Sequence, residues 1–127
     1  MRIALAALVI GSTFGLGCAA SRVEPRTYDA CDGGNGDACN QAGLRTAGSR
    51  FRNFVKAGRL YLRGCNFGSA PACANVANLF EAGVGYGYQD VPRAEMYYAK
   101  SCRMGYPPAC DEQARVRSKL DRTLYLR

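Results

Sequence analysis

The 127-residue chain contains no histidine and no tryptophan. Histidine is the commonest general acid–base group near neutral pH, so its absence removes the usual route to proton-transfer catalysis. It also removes the commonest nitrogen ligand of zinc, and the acids alone make a poor zinc site. Long apolar runs are scarce as well. The single extended one, IALAALVIGSTF from Ile3 to Phe14, is too short for a permanent bilayer span, and nothing after it is long and apolar enough for a transmembrane helix.

That first run follows Met1-Arg2 and leads into the small residues Gly15 to Ala20, before a polar switch at Ser21-Arg22. A positive start, a short apolar middle and small residues at a cut site describe a secretory signal. Residues 1–20 are assigned to it, with 1–17 excluded from the fold, and 21–127 form the mature domain. Gly17-Cys18-Ala19 resembles the lipobox of bacterial lipoproteins, which implies lipidation of Cys18. Gly15 stands where that pattern has Leu, so cleavage after Ala20 is the competing reading. Without Arg2 the formal charge is +6, from 16 basic and 10 acidic side chains. The basic residues are scattered, which describes a solvated surface, with loose attraction to anionic envelope polymers as a weaker reading.

With Cys18 lipidated or removed, six cysteines remain: Cys31, Cys39, Cys65, Cys73, Cys102 and Cys110. Six cysteines permit fifteen pairings. They fall into three C-x7-C pairs whose first members lie 34 and 37 residues apart. In an exported chain this spacing favours a disulfide within each pair. Zinc is the rival reading, but structural zinc sites use shorter internal spacings and often His.

More than cysteine repeats. Gly34, Gly68 and Gly105 stand three after each first cysteine, and Ala38, Ala72 and Ala109 stand just before each second one. Gly43, Ala77 and Ala114 follow four residues later, giving C-x2-G-x3-A-C-x3-[AG] three times. A period of this size describes stacked supersecondary units. Between the pairs the apolar spacing is helical: Cys73, Val76, Ala77 and Phe80 form one stripe, and Ala94, Tyr98 and Cys102 another. Cys39, Ala42, Gly43 and Thr46, then Ala57, Leu60, Tyr61 and Gly64, repeat this more weakly. Gly83 closes a helix, Asp90 caps the next and Pro92 sits in its first turn. Each C-x7-C therefore joins the end of one helix to the start of the next, with the glycine supplying the turn.

The segment ACANVANLFEAGVGYGYQDVPRAEMYYAKSC, from Ala72 to Cys102, resembles one full Sel-1-like repeat. The resemblance lies in Gly83-x-Gly85, Asp90, Arg93-Ala94 and Tyr97-Tyr98-x-Lys100, and the paired cysteines resemble the secreted bacterial branch of that family. It implies an all-α protein, an α/α-solenoid of about two and a half disulfide-stapled helix pairs related to tetratricopeptide repeats, which holds protein or peptide partners. Residues 44–55 depart from the pattern, lacking the G-x-G and the Asp-capped helix start.

After Cys110 the stripe would continue at the polar Gln113 and Arg117, whereas Val116, Leu120 and Leu124 align at spacings of four among five basic residues. A terminal cap with a wet outer face is the expectation. A helix lying on a membrane is the alternative. Some cysteine-rich members of the resembled family are linked to penicillin binding or β-lactamase activity, but S-x-x-K, S-D-N and K-T-G do not occur here. The run Gly83-Val84-Gly85-Tyr86-Gly87-Tyr88 reads as a turn, since a phosphate loop would follow a strand. Tyr86 and Tyr88 are packing residues or contacts for a partner. The expectation is an exported binding adaptor in the periplasm or on the outer membrane. It takes an unknown protein or peptide, meets the membrane through a lipid on Cys18, binds no nucleic acid and needs no cofactor.

Overall fold

The structure, a computed structural model, describes residues 24–126; the expected export signal and Cys18 lie outside the described residues. Six helices follow one another: α1 Glu24–Asp32, α2 Gly36–Gly48, α3 Phe54–Asn66, α4 Ala70–Ala82, α5 Val91–Arg103 and α6 Pro107–Tyr125. Each packs on the next, and α2 also touches α4, so the helices run up and down in a stack. The protein is an all-α helical repeat. Two full pairs, α2–α3 and α4–α5, are flanked by α1 and by the longer α6.

The joint between helices is the same each time. Disulfides link Cys31 to Cys39, Cys65 to Cys73 and Cys102 to Cys110, with Cα atoms 4.5–4.7 Å apart. Gly34, Gly68 and Gly105 each take φ of +90 to +92°, and a Cβ on any of them would meet open space. The need for glycine here is therefore one of backbone angle, since L side chains resist left-handed φ. The turn closes with Asn35 N–H donating to Ala30 O, and Ser69 and Tyr106 repeating the bond to Gly64 and Ser101. These five-residue-span bonds are the helix-ending pattern that satisfies orphan carbonyls.

The core between joints is built mostly from small residues. Ala42, Ala57, Ala72, Ala77 and Ala94 are fully buried, with Val76, Phe80, Tyr61 and Tyr98 as the larger fillers. Helices that meet through alanine and glycine approach closely, and backbone meets backbone where α3 ends against the start of α2. A Cβ on Gly64 would lie 2.8 Å from Gly36 O and 2.9 Å from the Ala72 Cβ. At the matching place in the next unit, Ser101 donates 2.6 Å to Ala70 O.

Caps show where the sequence reading stopped short. Asp90 accepts from Arg93 N–H and Gly83 ends α4 in the left-handed region, as expected. The first unit lacks an Asp cap, as read, but Asn53 takes its place: it accepts from Lys56 N–H, four residues before Ala57 as Asp90 is four before Ala94. Asn35 does the same for α2 through Ala38 N–H. On α6, Val116 is buried and Leu120 half-buried, but Leu124 is 71% exposed. The expected stripe ends there because α6 has 19 residues against 13 in α4, and its last turns overhang.

Gly64→Ala is expected to destabilise by about 1–3 kcal/mol, because backbone and a neighbouring methyl must move. Gly48→Ala, at an open helical position, is expected to stabilise by about 0.5–1 kcal/mol. Urea unfolding with the disulfides intact measures both.

Candidate functional site

Between α4 and α6 lies a cleft of about 200 Å³, with Asn75 and Asn78 on one wall and Pro108 and Glu112 on the other. Tyr98 of α5 and Tyr106 line it as well. The helical period places Asn75, Asn78 and Glu81 along one side of α4 at intervals of three, so that side is a polar row beside an apolar core.

The row is bonded on both sides. Asn75 donates 2.8 Å to Oδ1 of Asn40 on α2. The Tyr98 hydroxyl, at the buried end of a ring that is 1% exposed, donates to Asn78 Oδ1 and lies 3.3 Å from Glu81 Oε2. Arg115 of α6 holds both oxygens of Glu81 at 2.6 and 2.8 Å and also pairs with Glu112 at 2.6 Å. The chain Asn78–Tyr98–Glu81–Arg115–Glu112 thus ties three helices together across the cleft. Among the described residues no buried side-chain polar atom lacks a partner.

These contacts set the charges. The Arg115 guanidinium bonded to Glu81 holds its carboxyl below its ordinary value of 4.5, against the opposing effect of burial. Arg115 is held protonated still more firmly by Glu81 and Glu112. Burial, and then the negative charge of Glu81, push the Tyr98 phenol well up, so it stays a neutral donor. Burial also raises Tyr61.

Tyr86 stacks on Phe80 with centroids 4.2 Å apart, and its hydroxyl donates 3.0 Å to Gly58 O. Burial pushes its phenol up to about 12. Tyr88 is exposed and accepts from Arg93 Nη1 at 3.1 Å. Of the loop's two tyrosines, one therefore packs the loop onto α3 and α4 while the other faces solvent. The six bonded cysteines are joints, and Cys31, Cys39, Cys65 and Cys73 are fully or almost fully buried.

Nothing in the cleft is a nucleophile beside a base. Ser69 donates to Asp37 and Ser101 to Ala70 O, both as buried structural groups. Among the described residues no three His, Cys, Asp or Glu are grouped to hold a metal. The arrangement is suited instead to hydrogen bonding: Asn78 keeps its amide N–H₂ and Asn75 its carbonyl for a ligand, beside the neutral ring of Tyr106. Sequence reading missed the asparagines. Their signal was the polar position beside each apolar one in the α4 stripe, Asn75 before Val76 and Asn78 after Ala77.

No family model, curated protein or solved structure matches the chain.

Arg115→Met is expected to cost about 0.5–1 kcal/mol at pH 7, the range of a partly exposed pair. Glu81 has a folded pKa below its unfolded value, so its contribution is complete above about pH 4.5 and is lost as pH falls through the lower folded value. Wild type and variant should therefore converge in acid when unfolding is followed against pH.

Proposed function

We propose that this chain is an exported member of the Sel-1-like repeat family, a small adaptor that holds an extended protein or peptide segment in the α4–α6 cleft. The repeat signature in the sequence supports the family, and three disulfides in a small domain suit an oxidising compartment. The observation that carries the binding role is the pair Asn75 and Asn78. Amides held in place by Asn40 and Tyr98 offer fixed donors and acceptors, which suit the backbone of an extended peptide better than a charged or apolar ligand. A lipid on Cys18 would keep such an adaptor at the membrane. The penicillin-recognising alternative draws no support from the cleft, whose lining holds no Ser, Cys or Lys.

A photo-crosslinking side chain at Asn75, in cells of origin, should yield a discrete adduct. The same group at Met96, exposed on α5, should not. Asn75→Arg in a chain with the crosslinker at Pro108 should abolish the adduct while circular dichroism stays unchanged. Equal adducts from both positions would count against the cleft. In a chromogenic β-lactam assay the refolded protein should show no turnover above a mock preparation.

A further inference from the structure

Helix order sorts the molecule into two poles. The three disulfide turns lie at one, and the exposed acids Asp29, Asp32, Asp37 and Asp111 fall at or near it, while Asp121 lies on the last turns of α6 at the other. At the other pole are the start of α1, the turn between α2 and α3, the loop before α5 and the overhang of α6. Cross-contacts fix this grouping: Tyr28 bonds Thr46 at 3.1 Å, Tyr86 bonds Gly58 O, and Lys119 reaches Glu81 at 4.0 Å.

This second pole combines charge with apolar side chains at projecting tips. From residue 38 to residue 80 the chain has six basic residues and no acidic one; Arg45, Arg50, Arg52 and Lys56 fall at this pole, whereas Arg63 pairs with Asp32 at the disulfide pole. Arg50 and Arg52 flank Phe51 at the tip of the α2–α3 turn. Both are exposed and form no ion pair among the described residues, and Phe51 is 87% exposed. Val55 and Lys56 follow on the first turn of α3, also exposed. Past Leu120 the α6 overhang, about 9 Å for six residues, carries Asp121 and Arg122 and ends in Tyr125 and Leu126, 94% and 88% exposed.

We infer that this pole docks on the surface of an anionic phospholipid bilayer, with Phe51 entering the interface and Arg50, Arg52 and Lys56 meeting the headgroups. Aromatic and apolar tips ringed by cations match such a surface, where the ring lies at headgroup depth and each cation meets a negative charge. Phe51 borders an open hollow that Tyr28, Arg45, Ser49 and Lys56 also line, yet it is 87% exposed, which suits entry into an interface better than the seating of an acidic peptide. The inference concerns the pole opposite the disulfides and stands whether or not the cleft binds a peptide.

The chain has no tryptophan, so Phe51→Trp in the full chain makes one reporter at the proposed contact. Phe67→Trp places the same reporter at the disulfide pole, where Phe67 is half-exposed. With vesicles of phosphatidylglycerol and phosphatidylethanolamine in equal parts, the F51W emission should shift to the blue and the F67W emission should stay. Added salt should reverse the shift, and Arg50→Gln with Arg52→Gln should remove it. Circular dichroism checks the fold of each variant. The inference is overturned if F51W does not shift, if F67W shifts equally, or if phosphatidylcholine vesicles act as well as anionic ones. It is also overturned if polyglutamate shifts F51W and vesicles do not, since that assigns the pole to an acidic protein.

Discussion

Two helices joined by three residues can lie antiparallel only where one of those residues accepts a left-handed backbone, and every other feature of this protein follows from that joint. Gly34, Gly68 and Gly105 supply it three times, and a disulfide between cysteines eight positions apart locks each. The lock matters because the core is thin. Alanine is the commonest residue of that core, and each buried alanine contributes far less transfer free energy than a leucine. A short cross-linked loop contributes on the order of 2–3 kcal/mol by restricting the unfolded chain. The small residues in turn allow the close approach at Gly36 and Gly64 that a larger side chain would block.

Rigid joints at one pole leave the other pole to vary. The first unit turns through residues 49–53 and the second through the longer glycine loop 83–90, yet both restart a helix on an Asx cap, Asn53 or Asp90. The longer loop is held down by Tyr86 on Phe80 and Gly58 O. The shorter one has no such anchor and presents Phe51 outward. Between the poles, α4 has an apolar side in the core and a polar side that meets α2 and α6 through Asn40, Asn75, Tyr98 and Arg115. A polar network of this kind fixes register between helices that small apolar contacts alone would let slide.

Much of the fold was legible in the residues, for physical reasons. The cysteine spacing, the glycine three residues on and the alanine before each second cysteine encode the joint directly. The stripes through Cys73, Val76, Ala77 and Phe80, and through Ala57, Leu60, Tyr61 and Gly64, are the buried faces. What was not legible is what depends on neighbours. Asn53 does the work of Asp90, but no G-x-G precedes it to announce a helix start. Gln113 and Arg117, polar where the stripe should continue, instead meet Glu95 of α5. Leu124 follows the helical period yet is bare, since α6 outruns the helix it packs beside. The candidate cleft was less legible still. Asn75 and Asn78 form a site only because α6 crosses near them, and a single-helix pattern does not contain that fact.

The claim on which the whole fold rests is that each bridge is local to one joint, and peptide mapping of the unreduced protein tests it most directly. Trypsin has no cleavage site between Cys31 and Cys39 or between Cys65 and Cys73, but Arg103 lies between Cys102 and Cys110. The predicted result is two single peptides, each two mass units lighter than its reduced form by loss of two hydrogens, and one crosslinked pair joining Cys102 to Cys110. A crosslink between the peptide holding Cys31 and Cys39 and the one holding Cys65 and Cys73 would contradict it.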